Sequence, residues 1–283
     1  MRTVPSALPA ALFALTISAF QPLPLHAQSG AFRNDAALAV DVTATPFLRR
    51  AAAIEGATRV TREEQLVRSA CPGIVIPIKV AYPQGIDAGG PVDEAVRSYA
   101  DIIIESTQEV AREFEYEPED CEAFTGSSYA LNAAAFRVSA GVFSVLLIMG
   151  EHLEGNRQIL SYFTLNLTAD GTELTAEDLF ADPAKSLPLL WERIYRSTCT
   201  GDHETGPSYY GSLPCSGDSV PGLPDNFASE SMLEMIGNVS LTSLGLTINL
   251  NPTEAWSEDS GPFRLDIPKD DLVAMGADPE LWD

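Results

Sequence analysis

The sequence predicts an α+β fold: a mixed, mainly antiparallel sheet packed by a long N-terminal helix and a second helix. Residues 126–167 hold three apolar stretches in succession, SSYALNAAAFRVSA, VFSVLLIMGEH and QILSYFTLNLT, each of strand character. Apolar residues at three- and four-residue spacing run through 91–115, which is a helical period. Strands and helices are grouped and do not alternate strictly, which separates α+β from α/β.

The first 27 residues read as a signal peptide. Arg2 is their only charge, residues 7–20 form an apolar core, and Leu25-His26-Ala27 offers a small residue at the cleavage point. Fourteen apolar residues are too few to span a bilayer comfortably. The mature protein is therefore expected in the periplasm or secreted, without a transmembrane anchor. Residues 28–70 mix Ala, Thr, Arg and Asp without a long apolar period and read as a loosely structured lead-in. The remainder, 71–283, is expected to be one domain of two subregions, 71–122 and 123–283.

GIVIPIKVAYP, at 73–83, is rich in β-branched residues and predicts a strand; Pro77 suggests an edge strand or a bulge. Gly89-Gly90-Pro91 leads into the long helix, with proline at its first turn and Asp93 and Glu94 suited to the dipole there. Val92, Val96, Tyr99, Ile103, Val110 and Phe114 make its apolar stripe, which packs on the sheet. In QILSYFTLNLT one face carries Ile159, Ser161, Phe163, Leu165 and Leu167. The other carries Leu160, Tyr162, Thr164 and Asn166, which fits a strand covered on one side. Asp170-Gly171 turns the chain, and Thr175-Ala176-Glu177-Asp178 resembles a capping box opening a helix. LPLLWERIYRST, at 187–198, is the second amphipathic helix. A helix at 225–236, a hairpin in VSLTSLGLTINLNP broken near Gly245, a strand FRLDIP and a short helix after Pro268 complete the chain.

The chain has 40 acidic and 17 basic residues, a net charge of −23. Without residues 1–27, which hold one arginine and no acid, the balance is −24. Such a surface repels phosphates and excludes nucleic acid as a partner, while it attracts cations. Four cysteines, Cys71, Cys121, Cys199 and Cys215, suggest two disulfides in an exported chain. Three pairings are open, and the sequential one is favoured. Cys199–Cys215 would close a Gly/Pro/Ser-rich loop, and Cys71–Cys121 would tie a strand start to a helix end. Loop entropy gives roughly 3 and roughly 4 kcal/mol respectively.

Candidate chemistry is sparse. Asn166-x-Thr168-x-Asp170-Gly171 with Glu177 has the spacing of a calcium loop. Asn stands where Asp is expected first, and Glu173 takes a usually apolar position, so a strand–turn–helix is the preferred reading. No G-x-S-x-G elbow is present. His152 and His203 read as surface residues beside acids. Glu254, Glu258 and Asp259 around Trp256 could line a sugar site, but an ordinary loop with a buried Trp is preferred. Asn166-Leu167-Thr168 and Asn238-Val239-Ser240 are glycosylation sequons. No catalytic residue, metal or cofactor is expected.

The order of elements over 71–267 resembles the exported domain of RsiV-type anti-sigma factors, which also accompanies peptidoglycan deacetylases of the PdaC type. The residues that carry the resemblance are Ala81-Tyr82-Pro83-Gln84 before the long helix and Asn166-Leu167…Gly171…Leu174…Asp178-Leu179-Phe180. Asn251-Pro252…Trp256, Gly261-Pro262 and Ile267-Pro268 follow in the same order. Glu258-Asp259-Ser260 replace the family's aromatic or small residues, so no site there transfers. The membrane and sigma-binding parts of RsiV and the deacetylase catalytic domain have no counterpart in the sequence, so neither role carries over. The resemblance implies an α+β module without known catalytic residues, which in RsiV recognises the cationic protein lysozyme. The expectation is an exported, non-enzymatic envelope binding or accessory domain, whose partner is a lysozyme-like protein or peptidoglycan. An envelope glycan hydrolase and a purely structural periplasmic protein are the alternatives.

Overall fold

A computed structural model describes residues 46–51, 54, 57–67, 71, 73–113, 121, 126–153, 157–175, 178–200, 238–250 and 263–283. The expected signal peptide, the helix expected at 225–236 and the loop around Trp256 lie outside the described residues.

Two sheets replace the single sheet expected. The first has five strands: β1 (Thr58–Val67), β2 (Val75–Gln84), β3 (Ser128–Arg137), β4 (Val142–Leu153) and β5 (Arg157–Thr168), in that order across the sheet. Its pairs are antiparallel except β2–β3, which is parallel. The second has three antiparallel strands: β6 (Val239–Thr242), β7 (Gly245–Leu250) and β8 (Phe263–Pro268). The expectation fails because the small sheet bonds to its neighbours through side chains and contributes no strand to the larger one.

The long helix is not N-terminal either. A short helix, α1 (Pro46–Arg50), and two strands precede α2 (Pro91–Glu113). A parallel pair cannot be joined by a tight turn, so the chain needs a crossover between β2 and β3, and α2 is that crossover. The start of α2 is held by two carboxylates. Asp87 accepts from the N–H groups of Gly90, Val92 and Asp93 at 2.9, 2.8 and 3.2 Å. Buried Asp93 accepts from Gly85, Ile86 and Gly89 at 3.1, 2.9 and 2.6 Å. Burial opposes the charge on Asp87, but its backbone donors outweigh that and lower its pKa.

The lead-in also holds more structure than expected. Thr58–Val67 runs antiparallel to β2 along all ten residues. Its inward positions Val60 and Leu66 are too few to show an apolar period. Pro77 lies on β2, which is the second strand and not an edge. Gln65 stands opposite Pro77, and its carbonyl, turned away from β2, accepts from Gln108 Nε2 at 3.3 Å, so the missing N–H of Pro77 costs this pairing nothing.

Two faces of the large sheet are covered. On one, Val92, Val96, Ala100, Ile103 and Ile104 of α2 pack on Ile76, Ile78, Val80, Leu131, Val145, Leu147 and Leu165. Each valine, leucine or isoleucine among them contributes about 1.5–3 kcal/mol relative to exposure. On the other, Phe136, Leu146, Ile148 and Tyr162 form a smaller cluster with Leu48 of α1. The third core lies on the small sheet. There Val239, Leu241, Leu246, Ile248, Leu265 and Ile267 meet Leu187, Leu190, Trp191 and Ile194 of α3 (Pro183–Thr200).

Thr175 and Asp178 do bond, with Thr175 N and Oγ1 each donating to Asp178 Oδ2 at 2.8 Å. They close a turn, and the helix starts at Pro183, earlier than the apolar run at 187 suggests. The expected break at Gly245 is real: β6 and β7 are a hairpin through Ser243-Leu244. Gly245 has φ 146°, and a Cβ there would sit 2.2 Å from the carbonyl oxygen of Ile267. The chain ends in α4 (Lys269–Ala274) after Pro268 and a 3₁₀ turn, Pro279–Trp282.

Candidate functional site

Cys71 and Cys121 are bridged, with their Cα atoms 5.6 Å apart. The bond ties the approach to β2 to the segment after α2. Cys215 lies outside the described residues, and so does the second expected pairing. His152 takes its place on β4 opposite Gln158. His203, Glu254, Trp256, Glu258 and Asp259 lie outside the described residues.

The calcium spacing resolves into a turn. Asp170 accepts from Thr168 Oγ1 and from Thr172 N, and these bonds, Thr168 first, hold its pKa below the usual range. Gly171, at φ 82°, closes the turn, and a Cβ there would lie 2.9 Å from Pro91 Cβ. Asn166, the first position of the spacing, points into the protein and cannot share a ligand shell with Asp170. Its Nδ2 donates to the carbonyl of Val239 at 2.9 Å, and Leu241 N donates to its Oδ1 at 3.4 Å. The Asn166 sequon is buried by the same contact. Among the described residues no group of three or more His, Cys, Asp or Glu is placed to hold a metal.

These bonds belong to a polar layer that sequence reading missed. Alternation along β5 puts Tyr162, Thr164 and Asn166 on one face, and all three are buried. They lie on the side of the small sheet, whose own polar residues are Ser240, Thr242, Thr247, Asn249 and Arg264, also buried. Ser144 Oγ accepts from Leu241 N at 3.0 Å, so one N–H is shared by Ser144 and Asn166. Asn249 Nδ2 donates to Ser240 Oγ at 3.0 Å. Thr247 Oγ1 donates to Asp266 Oδ1 at 2.6 Å, and Phe47 N of α1 donates to the other oxygen at 2.9 Å. Arg264 lies over the Tyr162 ring, 4.7 Å from its centroid. Burial raises the Tyr162 pKa, and the Arg264 charge opposes that rise. The layer joins sheet to sheet, and α1 to the small sheet through Asp266. Its hydroxyls, amides and carboxylate bond chiefly to backbone groups, with Asn249–Ser240 and Thr247–Asp266 as side-chain pairs.

Acidic side chains are displayed on α2. Glu94, Glu105 and Glu109 stand exposed on the outward side of α2, with Ile102 42% exposed beside them. None of the three forms an ion pair among the described residues, whereas Asp101 pairs with Arg62. Near the turn after β5, partial desolvation raises Glu173, and burial with the nearby Glu173 charge pushes the Tyr99 phenol up to about 12. No helix among the described residues is long and apolar enough to cross a membrane.

No protein-family model matches the chain, and no curated protein does. Among solved structures, the chain is similar to a DUF3298 family protein from Pseudomonas aeruginosa PAO1. The two are 14% identical with a TM-score of 0.48, over 80% of this chain and 95% of that one. It is also similar to a member of the same family from Bacteroides fragilis, at 12% identity and a TM-score of 0.49, with the same coverage of both chains.

Proposed function

We propose that this chain is an exported, non-enzymatic recognition module of the bacterial cell envelope, and that its partner is a cationic protein of the lysozyme type. The observation that carries this reading is the acidic excess, a net charge of −23. A field of that sign concentrates basic proteins at the surface and speeds their encounter. The outward glutamates of α2 display part of that charge and form no ion pair among the described residues. The resemblance of residues 71–267 to the RsiV-type domain supports a lysozyme-type partner over other basic proteins, which charge alone does not distinguish.

Salt separates a specific interface from diffuse attraction. Screening acts within about 8 Å at physiological ionic strength, so long-range attraction fades while a packed interface persists. Calorimetry at 0.15 M salt, with lysozyme as ligand and the equally basic cytochrome c as control, tests the reading. Binding to lysozyme alone supports it. Equal binding to both, or to neither, overturns it and leaves the acidity as a solubility device. Turnover of peptidoglycan by the purified protein would instead support a hydrolase.

A further inference from the structure

The large sheet ends at β1, and among the described residues no strand pairs with its outer edge. An edge strand of ten residues presents a row of backbone donors and acceptors that a further strand can use. Pairing with β2 is continuous from Thr58 to Val67, without a bulge to twist the edge away. Gln65 shows which residues face outward. Its carbonyl is bonded by a side chain of α2 and not by the proline opposite. Backbone groups alternate along an antiparallel strand, so Arg59, Thr61 and Glu63 direct theirs to the open edge as Gln65 does. The side chains of Arg59, Thr61 and Glu63 are exposed.

We propose that a second copy of this chain pairs antiparallel with β1 across a two-fold axis centred on Thr61, so that Arg59 of each copy faces Glu63 of the other. The register follows from charge and from Gln65. A two-fold pairing that keeps the sheet faces aligned brings one residue opposite its own copy. Centred on Arg62 it opposes two arginines, and centred on Glu63 it opposes two glutamates; both are unfavourable. Centred on Thr61 it opposes two threonines and makes two Arg59–Glu63 pairs. It also uses residues 58–64 and stops short of Gln65, whose carbonyl is already engaged by Gln108. Glu63 has no ion pair of its own among the described residues. Arg59 donates to Asn132 Oδ1 at 2.5 Å, on the β3 side of β1, and its exposed guanidinium leaves that bond and swings outward to meet Glu63 of the second copy. Such exposed pairs fix register and add little affinity, which comes from the backbone bonds. The isologous joint closes, so the assembly is a dimer and not a fibre.

Each copy carries the same large negative charge, which opposes association. The dimer therefore tightens as salt screens that repulsion, the opposite of the partner binding above. Sedimentation of the full chain across a concentration series, at low and at high salt, reads the equilibrium. Wild type is expected to dimerise, more strongly at high salt. Thr61→Pro removes a central N–H and is expected to be monomeric throughout with an unchanged melting temperature. Glu63→Arg is expected to weaken the dimer about tenfold, and Arg59→Glu with Glu63→Arg to restore it. A wild-type chain that stays monomeric overturns the proposal. So does a folded Thr61→Pro variant that dimerises as wild type does. If Thr61→Pro does not fold, equal dimerisation of the Glu63→Arg and double variants overturns it.

Discussion

Replacing Asn166 by alanine removes the side chain that bonds the large sheet to the small one. The amide acts here as a short piece of strand, giving an N–H to Val239 and taking one from Leu241. The two losses are unequal. The carbonyl of Val239 loses this donor in a buried place, where water does not easily replace it. Leu241 N–H keeps Ser144 Oγ at 3.0 Å, shorter than its 3.4 Å bond to Asn166. Leaving one buried backbone acceptor unsatisfied costs about 1–3 kcal/mol. The space left behind adds to that, so Asn166→Ala should cost about 2–3 kcal/mol. Ser144→Ala alone should cost about 1 kcal/mol or less, because Asn166 still accepts from Leu241. The double variant strips both acceptors, so it should cost more than the sum by about 1 kcal/mol. Urea unfolding with a shared slope measures all three. An Asn166→Ala cost below about 0.5 kcal/mol, or strict additivity, would refute the idea that these side chains join the sheets.

Three further outcomes are expected. Gly245→Ala should destabilise by more than about 2 kcal/mol or abolish expression, since its Cβ would meet the Ile267 carbonyl at 2.2 Å; thermal melting reads this. Reducing Cys71–Cys121 reopens a loop of sequence separation 50 and should cost about 4 kcal/mol on loop entropy, read by unfolding with and without reductant. Glu173 has a folded pKa above its unfolded value. Its share of stability is therefore present at low pH and lost as pH rises through the unfolded and then the folded pKa. Glu173→Gln should remove that loss and stabilise slightly at pH 7, by less than about 0.5 kcal/mol because the group is half exposed. A variant less stable than wild type at pH 7 would contradict this.

What could be read from the letters depended on how far each pattern was local. The stripe Val92, Val96 and Ile103 has one face to bury and one partner to bury it on, so α2 was legible. The pairing of Cys71 with Cys121 was favoured from the elements those residues border. The second sheet was not legible. Tyr162, Thr164 and Asn166 alternate with apolar neighbours, and that pattern is the same whether the polar face meets water or another polar face. Ser240, Thr247, Asn249 and Arg264 carry the matching half of the layer some eighty residues later, and only the fold brings the halves together. β1 was missed because an edge strand with Val60 and Leu66 inward has too few apolar residues to signal itself. The outward glutamates of α2 follow from the helical period once the apolar stripe is placed.

The central claim is recognition of a cationic partner by a surface that charge helps to approach and packing then holds. Surface interferometry with lysozyme across a salt series separates those two contributions. The account predicts an association rate that falls steeply with ionic strength, a dissociation rate that changes little, and binding that persists at 0.15 M salt. Loss of all binding by 0.15 M salt, or the same rates with cytochrome c, would contradict it.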